Sequence, residues 1–140
     1  MQPWIYFAFG SAIFASLTAI FGKIGVEGIN SNFATFIRTI VILVVAAGIL
    51  SLRNEWQKIE TISSKCLLFL VLSGIATGLS WLCYYRALQL GPASKVAPID
   101  KLSVAITILL AIVFLKEDLN LRTILGGGLI VAGSIVISFS

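Results

Sequence analysis

The stretch Cys66-Leu-Leu-Phe-Leu-Val-Leu-Ser-Gly-Ile-Ala-Thr-Gly-Leu-Ser-Trp-Leu-Cys-Tyr-Tyr-Arg-Ala87 decides the fold. Its single charge, Arg86, lies next to its end, and no proline interrupts it. A run of this length is too long for a buried strand and meets the requirement of roughly 20 apolar residues for a helix that crosses a bilayer. Four further stretches qualify: residues 4–26, 33–52, 94–115 and 121–139. They predict an all-α integral membrane protein, with one transmembrane domain of five helices over residues 1–140. No alternating strand pattern and no internal repeat is visible.

Composition agrees. Of 140 residues, 59% are hydrophobic and 11% charged, and the mean hydropathy is +1.05. A soluble domain carries roughly 25% charged residues, so an ordinary water-soluble fold and a disordered chain are both excluded. The net charge of +4, from 10 Lys+Arg against 6 Asp+Glu, is spread along the chain and indicates no nucleic-acid partner. Histidine is absent, which removes the commonest general base and metal ligand. Cys66 and Cys83 both fall inside the third apolar stretch, so they suggest neither a disulfide framework nor a zinc site. Ser94 and Lys101 lie about two turns apart, poor geometry for a Ser–Lys dyad. The sequence therefore predicts no enzyme, no catalytic residues, no metal and no cofactor.

The connections are short: Glu27–Asn32, the polar run Arg53–Lys65, Gln89–Ala93 and Lys116–Asn120. Gly91-Pro92 ends the third helix, with Ser94 placed to cap the fourth and Asn120 to cap the fifth. The start, Met1-Gln-Pro-Trp4, lacks the basic region and small-residue cleavage pattern of a removed signal peptide. The face carrying the N-terminus also holds Arg53, Lys58, Lys65, Lys116 and Arg122. The other face holds Lys23, Arg86 and Lys95, with Arg38 and Lys101 deeper in helices. This favours a cytoplasmic N-terminus, but the bias is small enough to permit insertion both ways.

Five is an odd number, so one copy has no internal symmetry mate, whereas two copies inserted oppositely supply the inverted symmetry of many transporters. Ionisable residues inside helices usually face a cavity or a partner. Arg38 lies about five residues into the second helix and Asp100 about six into the fourth, and at about 1.5 Å per residue they reach similar depth. An Arg38–Asp100 ion pair is expected, serving either as a lock between helices or as part of a solute or ion site. Lys101 follows Asp100, about 100° further round the helix, and can also snorkel outward. Pro98, one turn into the fourth helix, can kink it beside these charges.

The third helix carries Ser73, Thr77, Ser80 and Tyr84 on one arc, and Gly74, Gly78, Trp81 and Tyr85 on the next. Hydroxyls and aromatic faces suit a cavity for a small amphipathic solute. Helix packing through Gly74 and Gly78, and an interfacial aromatic belt, are the competing uses. In the first helix Ser11, Ala15, Thr18 and Gly22 suit close packing. In the last helix Gly126, Gly127, Gly128, Ala132 and Gly133 let another backbone approach. Gly126, Gly128, Ala132 and Gly133 are the candidate dimer contact. The candidate substrate site is Arg38, Asp100, Lys101, Thr77, Trp81, Tyr84 and Tyr85.

The run Tyr85-Arg-Ala-Leu-Gln-Leu-Gly-Pro-Ala-Ser-Lys-Val-Ala-Pro98 resembles the third-to-fourth helix junction of the EamA domain in the drug/metabolite transporter superfamily. Leu115-Lys-Glu-Asp-Leu119 and Gly126 through Gly133 are similar to that domain's acidic turn and glycine-rich last helix, and Gly22-Lys23 and Arg38 fit its first half. The resemblance covers nearly the whole chain. It implies an EamA-like half-transporter: a polytopic carrier of small metabolites or drug-like solutes, in the plasma membrane (the inner membrane of a bacterium), working by alternating access. Most members resemble two inverted EamA units in one chain. A single unit therefore implies a homodimer, in antiparallel arrangement, or a similar partner chain. Small multidrug resistance proteins rely on a carboxylate in the first helix, whereas here Glu27 lies only at that helix's end, so their cation exchange is not implied. An accessory or structural subunit of a larger membrane complex is the alternative.

Overall fold

The computed structural model describes residues 3–118 and 120–139. Met1, Gln2, Leu119 of the acidic turn, and Ser140 lie outside the described residues. All regular structure among the described residues is helical: α1 (Trp4–Gly25), α2 (Ser31–Arg53), α3 (Ser64–Leu90), α4 (Ala93–Asp100), α5 (Ser103–Leu110) and α6 (Leu121–Ser138). A 3₁₀ turn at Ile59–Thr61 interrupts the polar connection, and a π segment, Ala111–Leu115, extends α5. Five stretches, α1, α2, α3, Ala93–Leu115 and α6, are long and apolar enough to cross a membrane. Their side chains match that solvent. Phe7, Leu43, Val113 and Leu129 are exposed in the isolated chain, a surface that lipid tolerates and water does not.

Local chemistry explains where the helices start. α2 begins at Ser31, two residues before the apolar run, because the Asn30 side chain accepts from the backbone N–H groups of Asn32 and Phe33. α3 begins at Ser64, also two residues early, with Ser63 Oγ accepting from the Cys66 N–H at 3.2 Å. Asn120 caps α6 as expected, accepting from Thr123 N at 2.8 Å. Ser94 does not cap α4. Pro92 takes the cap position in extended backbone (φ −71°, ψ 139°) and the helix starts at Ala93, leaving Ser94 inside the first turn. The ring of Pro92 fixes that entry, so no side-chain cap is needed to set it.

The fourth span is not one helix. Pro98 has no N–H to donate to Ser94 and its ring crowds that carbonyl. Downstream, the bonds tighten to three-residue spacing: Lys101 N to Pro98 O, Leu102 N to Ile99 O, Val104 N to Lys101 O, and Ala105 N to Leu102 O, all 3.0–3.1 Å. Asp100 and Lys101 sit on this joint.

The described helices group into two compact units. One takes the described parts of Met1–Lys23 and Leu90–Ser140. There α4 and α5 pack on α6, and Lys23 Nζ donates to the Gly91 carbonyl at 3.0 Å, satisfying an orphan acceptor at the turn into α4. The other unit is Ile24–Gln89. Its tightest packing is at Val26 and Leu88, which are 1% and 0% exposed. Gly28 turns the chain there with φ +76°, a left-handed conformation that a side chain would oppose.

Candidate functional site

In the Ile24–Gln89 unit the site is built from α2 and α3. Trp81 and Tyr85 are four residues apart on α3, so their rings present to the same side, one turn apart. Arg38 reaches them from the first half of α2. Its guanidinium carbon lies 3.8 Å from the Trp81 ring centroid and 5.2 Å from that of Tyr85. The Tyr84 ring continues the aromatic patch, 6.4 Å from Tyr85 at 59°. Three of the expected site residues thus meet directly, and the arc that holds the guanidinium is the one shared with Gly74 and Gly78.

The electrostatics are unbalanced. Inserting an arginine at the centre of a membrane helix costs roughly 2.5–3.5 kcal/mol. A cation–π contact returns about 1–2 kcal/mol, which offsets part of that cost. A ring face attracts the positive charge without accepting in the plane of the guanidinium. Arg38 Nη1 is buried with no hydrogen-bond partner among the described residues.

The other expected residues are placed differently. Thr77 Oγ1 donates to the Ser73 carbonyl of its own helix at 2.8 Å, which leaves the oxygen's lone pairs as its free polar capacity. Ser73, Thr77 and Ser80 are exposed in the isolated chain. Asp100 pairs with its neighbour: Lys101 Nζ lies 3.2 Å from Asp100 Oδ2, despite the offset expected on a regular helix. Arg38 belongs to the Ile24–Gln89 unit, where it lies over aromatic rings, and Asp100 to the other unit, where it pairs with Lys101. A hydroxyl row on α2 was not anticipated. Ser31 and Thr35 are buried, and with Arg38 they follow helical spacings of four and three. That periodicity, Ser31-x-x-x-Thr35-x-x-Arg38, is the signal that marks them. Thr35 Oγ1 donates to Ser31 O at 3.0 Å and Thr39 Oγ1 to Thr35 O at 2.8 Å, which lets these hydroxyls lie against apolar neighbours at small cost.

In the other unit the glycine-rich helix α6 divides into two kinds of position. Gly127 faces α5, where a Cβ would meet Ile108 Cδ1 at 2.8 Å. Gly126, Gly128 and Gly133 have open space where a Cβ would stand. Gly128 and Ala132, with Ile108, Ile112, Val131 and Ile135, line an apolar groove of about 550 Å³.

Five membrane-crossing helices, with a cation held on aromatic rings at membrane depth, define a multi-pass membrane protein with the ingredients of a solute pathway. The sequence pattern of the EamA-like transporter family matches residues 2–139, and the chain belongs to that family. It is 51% identical over 137 residues to a Sinorhizobium protein named "Uncharacterized transporter in cobO 3'region", covering 98% of this chain and 97% of the relative. It is 33% identical over 129 residues to an uncharacterised protein of Methanocaldococcus jannaschii, covering 92% of this chain and 91% of that one. No solved structure matches the chain significantly. Family and relative point to a membrane transporter rather than an enzyme.

Proposed function

We propose that the protein carries small amphipathic metabolites or drug-like solutes across the plasma membrane as two copies of opposite orientation, alternating access to a shared pathway. The observation that carries this reading is the part-buried Arg38 on Trp81 and Tyr85 in a chain of five spans. A polar group at that depth suits a pathway, and an odd number of spans leaves inverted symmetry to be supplied by a second copy. The relative named as a transporter supports the arrangement, since a single five-helix unit spans 97% of it. Gly126, Gly128, Ala132 and Gly133 form the intersubunit contact, with the α6 groove receiving apolar side chains of the second copy. Trp81, Tyr84, Tyr85 and Thr77 contact the solute, and the Asp100–Lys101 pair at the Pro98 joint moves or exchanges protons as access alternates. The bacterial inner membrane, with the N-terminus facing the cytoplasm in at least half of the copies, fits the distribution of basic residues.

Purified protein reconstituted alone into liposomes tests this, using a panel of labelled small metabolites. Saturable uptake of at least one solute, lost in Arg38→Gln, is the expected result. The open glycine face of α6 also suits the accessory-subunit reading, and flux that appears after a different partner chain is added would favour it.

A further inference from the structure

We propose that Arg38 on its aromatic platform is the docking point for the carboxylate of a small monoanionic organic acid with an aromatic or apolar body. The inference names the substrate class of the transport reading above and rests on it for its consequence, while binding itself is measured without flux.

The guanidinium is held but not neutralised. Its carbon lies 3.8 Å from the Trp81 ring centroid and 5.2 Å from that of Tyr85, and Nη1 is buried with no hydrogen-bond partner among the described residues. The acids of this unit are Glu27, Glu55 and Glu60. Glu55 is paired with Arg53 at 3.0 Å, while Glu27 and Glu60 lie in the connections at opposite ends of α2. None supplies the missing acceptor. The group that completes the site is therefore an anion from outside the unit. A guanidinium offers parallel N–H donors that match the two oxygens of a carboxylate, and one already held against rings loses less freedom on binding than a free side chain does. The charge count also selects. One guanidinium balances one negative charge, so a carboxylate fits and a phosphate dianion is left half-compensated in a poorly hydrated place. The rings of Tyr84 and Tyr85 put apolar area beside the charge, which selects an acid with an aromatic or apolar body over a fully polar one.

The test uses the full chain in nanodiscs with Trp4→Phe and Trp56→Phe, which leaves Trp81 as the one tryptophan of three. Phenylacetate, phenylacetamide, inorganic phosphate and phenethylammonium are titrated while Trp81 fluorescence is followed. Saturable binding of phenylacetate, about tenfold or more tighter than phenylacetamide, is expected, with weaker or no binding of the other two. Arg38→Gln should erase that preference, and Arg38→Lys should restore part of it, since an ammonium keeps the charge without the fork. Equal binding of acid and amide by the unsubstituted Arg38 protein overturns the inference even if the Arg38 variants fail to fold. Preference for inorganic phosphate overturns the carboxylate assignment. Flux of uncharged solutes without carboxylate binding overturns this inference and leaves the transport reading standing. Carboxylate binding without flux of any solute in the panel does the reverse.

Discussion

At the scale of single residues, the strongest structural commitments are polar side chains that serve backbone carbonyls. Gln89, at the end of α3, donates through Nε2 to Ile29 O at 2.8 Å and Val26 O at 3.3 Å. Its amide is oriented by Arg86, whose Nη1 donates to Gln89 Oε1 at 2.7 Å. Gln89→Leu removes these bonds and strands the part-buried Val26 carbonyl of the turn after α1. Thermal unfolding in detergent should show a lower midpoint, by about 1–3 kcal/mol of stability. Trp81 offers a second test. Trp81→Phe keeps a ring beneath the guanidinium, whereas Trp81→Leu takes away a contact worth about 1–2 kcal/mol. The leucine variant should be the less stable of the two in the same assay, although leucine is as apolar as phenylalanine.

At the scale of elements, the divided fourth span and the glycine helix make separate predictions. Pro98→Ala returns the missing N–H and removes the ring from the Ser94 carbonyl. The span should straighten, and the thermal midpoint should rise by up to about 3 kcal/mol of stability. If the joint at Asp100 and Lys101 moves during transport, flux falls in the same variant. On α6, position decides the outcome. Gly127→Leu pushes against Ile108 and should destabilise the chain by about 1–3 kcal/mol, whereas Gly127→Ala costs less because Ile108 Cδ1 is the free end of a side chain that can turn. Gly126→Leu and Gly133→Leu meet open space within the chain, so the midpoint of the monomer is unchanged. If α6 joins two copies, those substitutions shift the protein from dimer to monomer in cross-linking or sedimentation.

At the scale of the whole molecule, orientation is the decisive property. Five spans, each crossing once, put the start of α1 and the end of α6 on opposite sides of the membrane in the proposed arrangement, and the basic residues are nearly balanced between those sides. Reporters fused to either terminus should report both locations in one population of cells. Adding two lysines to the Glu27–Asn32 connection should fix one orientation and abolish flux. Co-expression with a variant biased the other way, with lysines added to the Arg53–Lys65 connection, should restore it. A single orientation in unmodified cells with full flux would sink the antiparallel dimer and leave the family assignment intact.

The sequence by itself determined the membrane, the number of spans and most of their limits. Those properties depend on apolar length and on local capping chemistry such as that of Asn120, which neighbours in sequence settle. It also showed that Pro98 was placed to disturb the fourth helix, because the missing N–H is a property of the residue itself. Tertiary structure decided the partners. Depth along a helix can be read from residue count, which is why Arg38 and Asp100 share an expected depth, but the direction around the axis and the reach of a long side chain cannot. Packing of α2 beside α3 gave Arg38 two ring faces and a buried Nη1 with no partner among the described residues. A tightened joint gave Asp100 its neighbour Lys101. Likewise the glycines of α6 were equivalent in sequence until Ile108 closed on Gly127 and left the others open.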